Sequence, residues 1–238
     1  MKIVIPCAGK GQRFADAGYE VLKPLIDVNG RLMVDRVIDS LRPKRHDYQF
    51  IFIVLKEHCL RYGIDEILKR IEPNSQIVVI DKYTEGSGIT LLSASHLIYN
   101  DEVIVSVCDT QSLLDIDDFI DKTQGKDGLI ATFETEQSHF CFVELNDKGF
   151  VRCKEKEHIS SHASTGIWYF DSGAKLISAL CEGIYANDRV NNEFFSTIAY
   201  NYLKSTNIGI YDTKVISMGT PKELEEYYDK SRRNEQTS

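Results

Sequence analysis

The 238-residue chain has no apolar run long enough to cross a bilayer. Its longest runs, such as Ile51–Leu55 and Val103–Val107, are strand-sized, whereas a spanning helix needs about 20 apolar residues. No basic segment followed by an apolar stretch opens it, because Met1-Lys2 leads straight into a strand pattern. A cytoplasmic protein with no membrane partner is expected. Positive charge is not in excess either. The formal net charge of −8 argues against a general nucleic-acid binder, which needs a basic face. The one dense basic cluster, Lys230-Ser231-Arg232-Arg233, reads as a solvated terminus. The six cysteines (Cys7, Cys59, Cys108, Cys141, Cys153, Cys181) include no C-x-x-C pair and read as reduced core thiols. There is no Pro/Ser/Gly-rich linker and no internal repeat, so a single domain over residues 1–238 is expected.

What is present is alternation. Residues 2–6, 50–55, 76–81 and 102–107 are apolar runs of the kind buried on both faces of a sheet. Amphipathic stretches lie between them at Leu32–Leu41, Glu57–Ile71 and Ile89–Ile98. This β/α alternation predicts a parallel sheet flanked by helices. After residue 125 the pattern changes to closely spaced strands at Gly128–Thr132, Phe140–Leu145, Phe150–Lys154 and Gly166–Phe170. Asn146-Asp147-Lys148-Gly149 is a hairpin turn between two of them. Helices are expected again at Gly173–Tyr185 and Glu193–Leu203, then a strand at Ile208–Tyr211 and a charged helix from Pro221. The halves read as 1–125 and 126–221, with a charged helix and tail over 222–238.

Residues 7–24 form a long segment without periodicity, and long loops inside compact domains are commonly functional. It holds Ala8-Gly9-Lys10-Gly11-Gln12-Arg13 and, later, Lys23-Pro24. Glycines let backbone N–H groups approach one point, and three cations among them suit a bound polyphosphate at the C-terminal edge of a sheet. The dinucleotide fingerprint is incomplete, for its third glycine is missing and the next helix is expected only near residue 31. The P-loop Gly-Lys-Ser/Thr is absent too.

These residues resemble the sugar-phosphate nucleotidyltransferases, the pyrophosphorylases that make NDP-sugars, whose opening motif is a strand, G-x-G-x-R and a later lysine beside proline. The run Lys23–Ile38 (KPLIDVNGRLMVDRVI) is similar to that of the capsule-biosynthesis members. Thr84-Glu85-Gly86, Asp109, Glu155-Lys156-Glu157, Thr165-Gly166-Ile167, Asn192-Glu193-Phe194 and Gly219-Thr220-Pro221 follow in the family's order. The resemblance implies a Rossmann-like three-layer α/β/α fold of the nucleotide-diphospho-sugar transferase type, with a mixed, mostly parallel sheet and a small acceptor-binding lobe. It also implies a Mg²⁺-dependent reaction in which an NTP (CTP, UTP or dTTP) and a phosphorylated small molecule give a nucleotide-linked product and pyrophosphate.

Little covalent chemistry is asked of such a protein, so catalysis is positioning and charge neutralisation. The resemblance assigns Arg13 and Lys23 as catalytic cations. Ala8, Gly9, Lys10, Gly11, Gln12, Glu85, Gly86 and Ser87 would hold the nucleotide, and Asp109 the metal. Glu155, Lys156, Thr165, Gly166 and Glu193 would hold the acceptor. A sugar 1-phosphate for capsule or surface polysaccharide is the acceptor most in keeping with it. A phosphocholine-like or other non-sugar acceptor stays open, as does the base. Relatives commonly form dimers or tetramers, so a homo-oligomer is within what the resemblance allows.

The pattern also departs from the family's. Leu22 stands where proline is usual, Gln12 where a hydroxyl residue precedes the arginine, and Ser217 where many members carry a second metal-binding aspartate. A nucleotide-sugar-dependent glycosyltransferase would share the fold, but Asp109-Thr110-Gln111 is not its Asp-x-Asp. A nucleotide-sensing domain without activity would be expected to have lost Arg13 or Lys23. His158 and His162 read as surface histidines, and Trp168, Tyr169 and Phe170 as strand and core residues.

Overall fold

The computed structural model describes residues 1–205 and 207–236, without the side chains of 230–236. The basic cluster at Lys230–Arg233 therefore lies outside the described side chains. The first half runs β1 (Lys2–Pro6), α1 (Gln12–Asp16), a 3₁₀ turn at Lys23–Leu25, then the short strands β2 (Asp27–Val28) and β3 (Arg31–Leu32) joined across Asn29-Gly30. It continues with α2 (Met33–Ser40), β4 (Gln49–Leu55), α3 (Lys56–Tyr62), α4 (Ile64–Ile71), β5 (Gln76–Ile80), α5 (Ser87–Leu92), α6 (Ser95–Ile98) and β6 (Val103–Ser106). After β7 (Thr110–Ser112) and α7 (Ile116–Asp121) come β8 (Gly128–Glu134), β9 (Cys141–Asn146), β10 (Gly149–Glu155) and β11 (His162–Phe170). The chain closes through α8 (Gly173–Tyr185), α9 (Ile198–Tyr202), β12 (Ile208–Asp212), β13 (Val215–Ser217) and α10 (Pro221–Gln236).

The main sheet has nine strands, ordered β10-β9-β11-β6-β1-β4-β5, with β8 beside β11 and β12 beside β8. β1 pairs in parallel with both β4 and β6. β11 runs antiparallel to β6, β8 and β9, and β10 antiparallel to β9. Only β10 and β11 oppose the common direction, so the sheet is mixed and mostly parallel, as expected.

Alternation along β1 shows why both faces are covered. Ile3 and Ile5 pack with Val34, Ile38, Leu68 and Phe119 on the α2/α4/α7 face, whereas Val4 joins Leu91, Ile98 and Leu176 on the opposite face. Side chains at a period of two point to opposite sides, and helices on both sides make every position apolar. A third, smaller core gathers Phe14, Ile26, Val28, Met33, Met218 and Leu224. It fastens the opening loop to α10, at the far end of the sequence.

Several expected elements differ in detail. The helix expected over 57–71 is two helices, because Gly63 adopts a left-handed conformation (φ 60°) that closes α3 and opens α4, a backbone state glycine reaches without strain. The stretch 89–98 is likewise split into α5 and α6. The long first loop contains a helix after all: α1 starts at residue 12, behind Gly11 in the left-handed region (φ 63°). The helix expected from Glu193 begins only at Ile198. Before it, the Phe194 amide donates to the Glu85 carbonyl (2.7 Å) and the Ser196 amide to Ser87 Oγ (3.0 Å), so tertiary bonds replace the helical ladder. Among the described residues no helix is long and apolar enough to cross a membrane, and all six cysteines are free thiols.

Candidate active site

β1 and β6 are parallel neighbours, with Val4 level with Val105. The loops that follow them therefore leave the sheet side by side at its C-terminal edge, where open α/β sheets place ligands. The first loop carries Gly9, Gly11, Gln12 and Arg13, and the second carries Asp109. Between them the 3₁₀ turn delivers Lys23, whose ammonium is ion-paired with the Asp109 carboxylate and donates to the Gly219 carbonyl at 2.9 Å. Lys23 also sits over the Phe14 ring, 5.3 Å from its centre. A Cβ on Gly11 would stand 3.3 Å from Lys23 Cβ, so glycine lets the loop fold closely over the lysine.

Burial alone would push the Asp109 carboxyl up. The charges of Lys23 and Arg13 outweigh it and hold the group below the usual carboxylate range, so Asp109 is an anion at neutral pH. Two hollows meet at this residue. One, of about 250 Å³, is lined by Gly9, Gly11, Gln12, Arg13, Lys23, Asp109 and Gly219. The other, a cleft of about 300 Å³, shares Arg13, Asp109 and Gly219, then runs along β6 and β11 past Ser87, Glu155, Thr165, Gly166, Trp168 and Phe195. The first is small, cationic and edged by glycine, which suits phosphate groups. The second is somewhat larger and mostly apolar, with a few convergent polar groups, the usual make-up of a small-molecule cleft.

Glu155 ends β10 at the wall of the cleft. Burial raises its carboxyl above its ordinary value, although the Thr197 hydroxyl and the Cys141 thiol donate to it. Gly166 has φ 92°, and a Cβ there would lie 2.4 Å from Val107 Cγ2. The Val107 amide donates to the Gly166 carbonyl at 3.0 Å, so glycine is required for β11 to close on the β6 loop.

Other residues singled out from the sequence lie elsewhere. Ala8 is buried behind the loop and Lys10 is exposed, 5.2 Å from the centre of the Tyr83 ring. Glu85 pairs with Arg189 at 3.1 Å. Gly86 lies against the Phe194 backbone, which a Cβ would meet at 2.4 Å; its role visible here is packing. Lys156, in the left-handed region (φ 58°), is stacked 4.8 Å from the centre of the Phe195 ring. Glu193 is exposed, its backbone bridged to Val190. Lys156 and Glu193 line neither hollow.

Sequence reasoning missed His139, Phe140, Phe195, Ser196 and Glu223, all of which line the cleft. Glu223 had a signal, since Thr220 followed three residues later by glutamate is a helix-start pattern. The Thr220 hydroxyl does accept from the Glu223 amide at 3.2 Å and donate to Glu223 Oε2 at 2.9 Å. The Ser217 hydroxyl donates to Glu223 Oε1 at 2.9 Å, and His139 Nε2 lies 3.1 Å from the same oxygen. A Cβ on Gly219 would be 3.5 Å from Asp109 Oδ2 and 3.3 Å from Glu223 Oε2, so two carboxylates border one glycine-floored gap. Among the described residues there is no group of three or more His, Cys, Asp or Glu able to hold a metal. This donor set fits Mg²⁺, which keeps several waters and needs one or two carboxylates beside substrate phosphates.

No protein-family model matches the chain, and no curated protein matches it. Solved structures do. The nucleoside-diphosphate-sugar pyrophosphorylase from Vibrio cholerae RC9 superposes with a TM-score of 0.81 at 23% identity, over 94% of this chain and 98% of that one. A UDP-glucose pyrophosphorylase complexed with UDP-glucose gives 0.75 at 16% identity, over 98% of each chain. HddC from Yersinia pseudotuberculosis, complexed with GMP-PN, gives 0.68 at 20% identity over 96% and 98%. At these identities the likeness establishes the fold: this chain has the Rossmann-like α/β architecture of the nucleotide-sugar pyrophosphorylases.

Proposed function

We propose that the protein is a nucleotidyltransferase, moving NMP from an NTP to a phosphorylated small molecule with release of pyrophosphate, and that a sugar 1-phosphate is the acceptor. The observation that carries this reading is the cationic hollow of Lys23, Arg13 and the glycine loop opening into the cleft at Asp109. Both the attacking phosphate and the triphosphate are anions, so their approach must be paid for by fixed positive charge and close positioning. Gly9 and Gly11 would present backbone N–H groups to the triphosphate. Arg13 would grip phosphate oxygens with its planar fork, and Lys23 would move from Asp109 to the α-phosphate as charge develops there. A positioned donor of this kind is worth roughly 3–4 kcal/mol of barrier. Asp109, with Glu223 across Gly219, would hold Mg²⁺. When bound, that ion would neutralise charge on the triphosphate. An ionised phosphate nucleophile needs no general base, so no histidine is required. The nucleobase is that of CTP, UTP or dTTP, and the product would serve capsule or surface polysaccharide synthesis in the cytoplasm.

The test follows pyrophosphate while the protein is incubated with each NTP, Mg²⁺ and a panel of phosphorylated acceptors. Release is expected with at least one pair, abolished in Lys23→Ala and reduced about 10²- to 10³-fold in Arg13→Ala or Asp109→Ala. Sugar transfer from an NDP-sugar, with no pyrophosphate from any acceptor, would replace this reading by a glycosyltransferase.

A further inference from the structure

Two thiols meet on the floor of the cationic hollow. β1 and β6 pair as Lys2↔Val103, Ile3↔Ile104 and Val4↔Val105, and the same register carried three residues further sets Cys7 level with Cys108. Side chains repeat their facing every second residue along a strand. Accordingly Ile3, Ile5 and Cys7 pack with Ile104 and Cys108 on the α2/α4/α7 face. The Cys7 amide donates to the Ile53 carbonyl at 2.7 Å and the Val107 amide to the Gly166 carbonyl, so the sheet holds both backbones where the two strands end. Parallel neighbours lie about 4.8 Å apart, inside the range of Cα separations, roughly 4.4–6.8 Å, that a disulfide spans. The Cys7 thiol lies against the Cys108 thiol, and that contact together with burial pushes it up. Both residues line the hollow of Gly9, Gly11, Arg13 and Lys23. Cys141 and Cys153 also touch, but Cys153 lines neither hollow.

We propose that Cys7 and Cys108 are a site of reversible oxidation, closed by hydrogen peroxide to a disulfide that distorts the hollow and switches it off. Cys108 is half-buried and borders both hollows, whereas Cys7 is 1% exposed, so the first step falls on Cys108. Its sulfur takes one oxygen from the peroxide O–O bond and becomes a sulfenic acid, and the other oxygen leaves as water. The Cys7 sulfur then attacks the Cys108 sulfur. The S–O bond breaks, and the hydroxyl departs with the Cys7 proton as a second water. The two thiols lose two electrons and two protons, which the peroxide gains. A disulfide sets its sulfurs about 2.05 Å apart, closer than two thiols in contact, so closing it moves backbone. That movement reaches Asp109, the residue after Cys108 and the partner of Lys23, and the glycine loop just beyond Cys7. A misplacement of about 1 Å in such a site can cost about 10²-fold in rate. The bond itself is independent of the transferase reading; only its effect on turnover rests on that reading.

The reduced full chain is titrated with hydrogen peroxide, remaining thiols are alkylated before unfolding, and peptides are mapped by mass spectrometry beside the pyrophosphate assay. A peptide pair joined through Cys7 and Cys108 is expected. Pyrophosphate release should fall about 10²-fold and recover with dithiothreitol. Cys108→Ser, compared with its own untreated rate, should resist the same treatment. Cys7→Ala should stop at a Cys108 sulfenic acid, which dimedone traps. The exposed Cys181 serves as the internal standard of dose. The inference is overturned if Cys181 is consumed with no Cys7–Cys108 bond formed, if the bond forms and release is unchanged, or if Cys108→Ser loses activity as the wild type does. A bond in a protein that releases no pyrophosphate even when reduced sinks the transferase reading and leaves the thiol pair standing; pyrophosphate release with no bond does the reverse.

Discussion

The central residue pair is Lys23 and Asp109, with side chains 13% and 22% exposed. Their ion pair balances two charges that would be costly alone, and it leaves Lys23 close to where an α-phosphate would lie. Because Asp109 is held below its usual range when folded, the stability it contributes is present above the unfolded carboxylate value, about pH 4, and lost as pH falls through the lower folded value. Lys23→Met should therefore be less stable than wild type by about 2 kcal/mol at neutral pH. That gap should close as the pH falls through the lowered folded value of Asp109, as read by urea unfolding across a pH series. Glu155 behaves in the opposite sense. Its folded value is raised by burial, so its favourable contribution is full below about pH 4 and is lost as pH rises through the folded value. Glu155→Gln, which does not titrate, should be the more stable protein at pH 7 while losing acceptor affinity. Equal stability of the two proteins at pH 4 and pH 7 would show that the carboxyl is not strained by its burial.

At the scale of elements, the third small core links function to the end of the chain. Phe14, which lies under Lys23, shares that core with Met218 and with Leu224 of α10. Leu224→Ala should cost about 2–5 kcal/mol and weaken NTP binding as well, since the turn that carries Lys23 is held from this side. Calorimetry of unfolding and of NTP binding measures both effects, and a loss of stability with unchanged NTP affinity would separate the core from the loop. The strands of the parallel half were legible in the sequence to within a residue or two, because burial on both faces writes an unbroken apolar run. The same holds for α8, bounded by its Ser172 cap and an apolar period. β7 and β13, three residues each and paired only with one another, left no period to detect. The start of the 193–203 helix lies later than its sequence pattern suggests because Phe194 and Ser196 bond to the segment that leads into α5, a long-range choice that local propensity cannot foresee. The site was legible where it depends on a local backbone shape, as at Gly9-Lys10-Gly11 and Lys23. It was not legible where distant segments converge, as with His139 and Phe195.

Across the whole molecule, charge is distributed against the trend of its composition. A chain of formal charge −8 keeps Arg13 and Lys23 together at one sheet edge, with Asp109 between them. A chain of net negative charge does not attract a polyanion overall, so on the proposed reading affinity for an NTP would come from this local set. Its fixed geometry is what the fold supplies. The most direct test uses NTP labelled at the α-phosphorus, with an acceptor that supports turnover. Label is expected to leave in a nucleotide-linked acceptor while unlabelled pyrophosphate appears in equal amount, and Lys23→Ala is expected to do neither. Label released as free NMP, or turnover undiminished in Lys23→Ala, would contradict it.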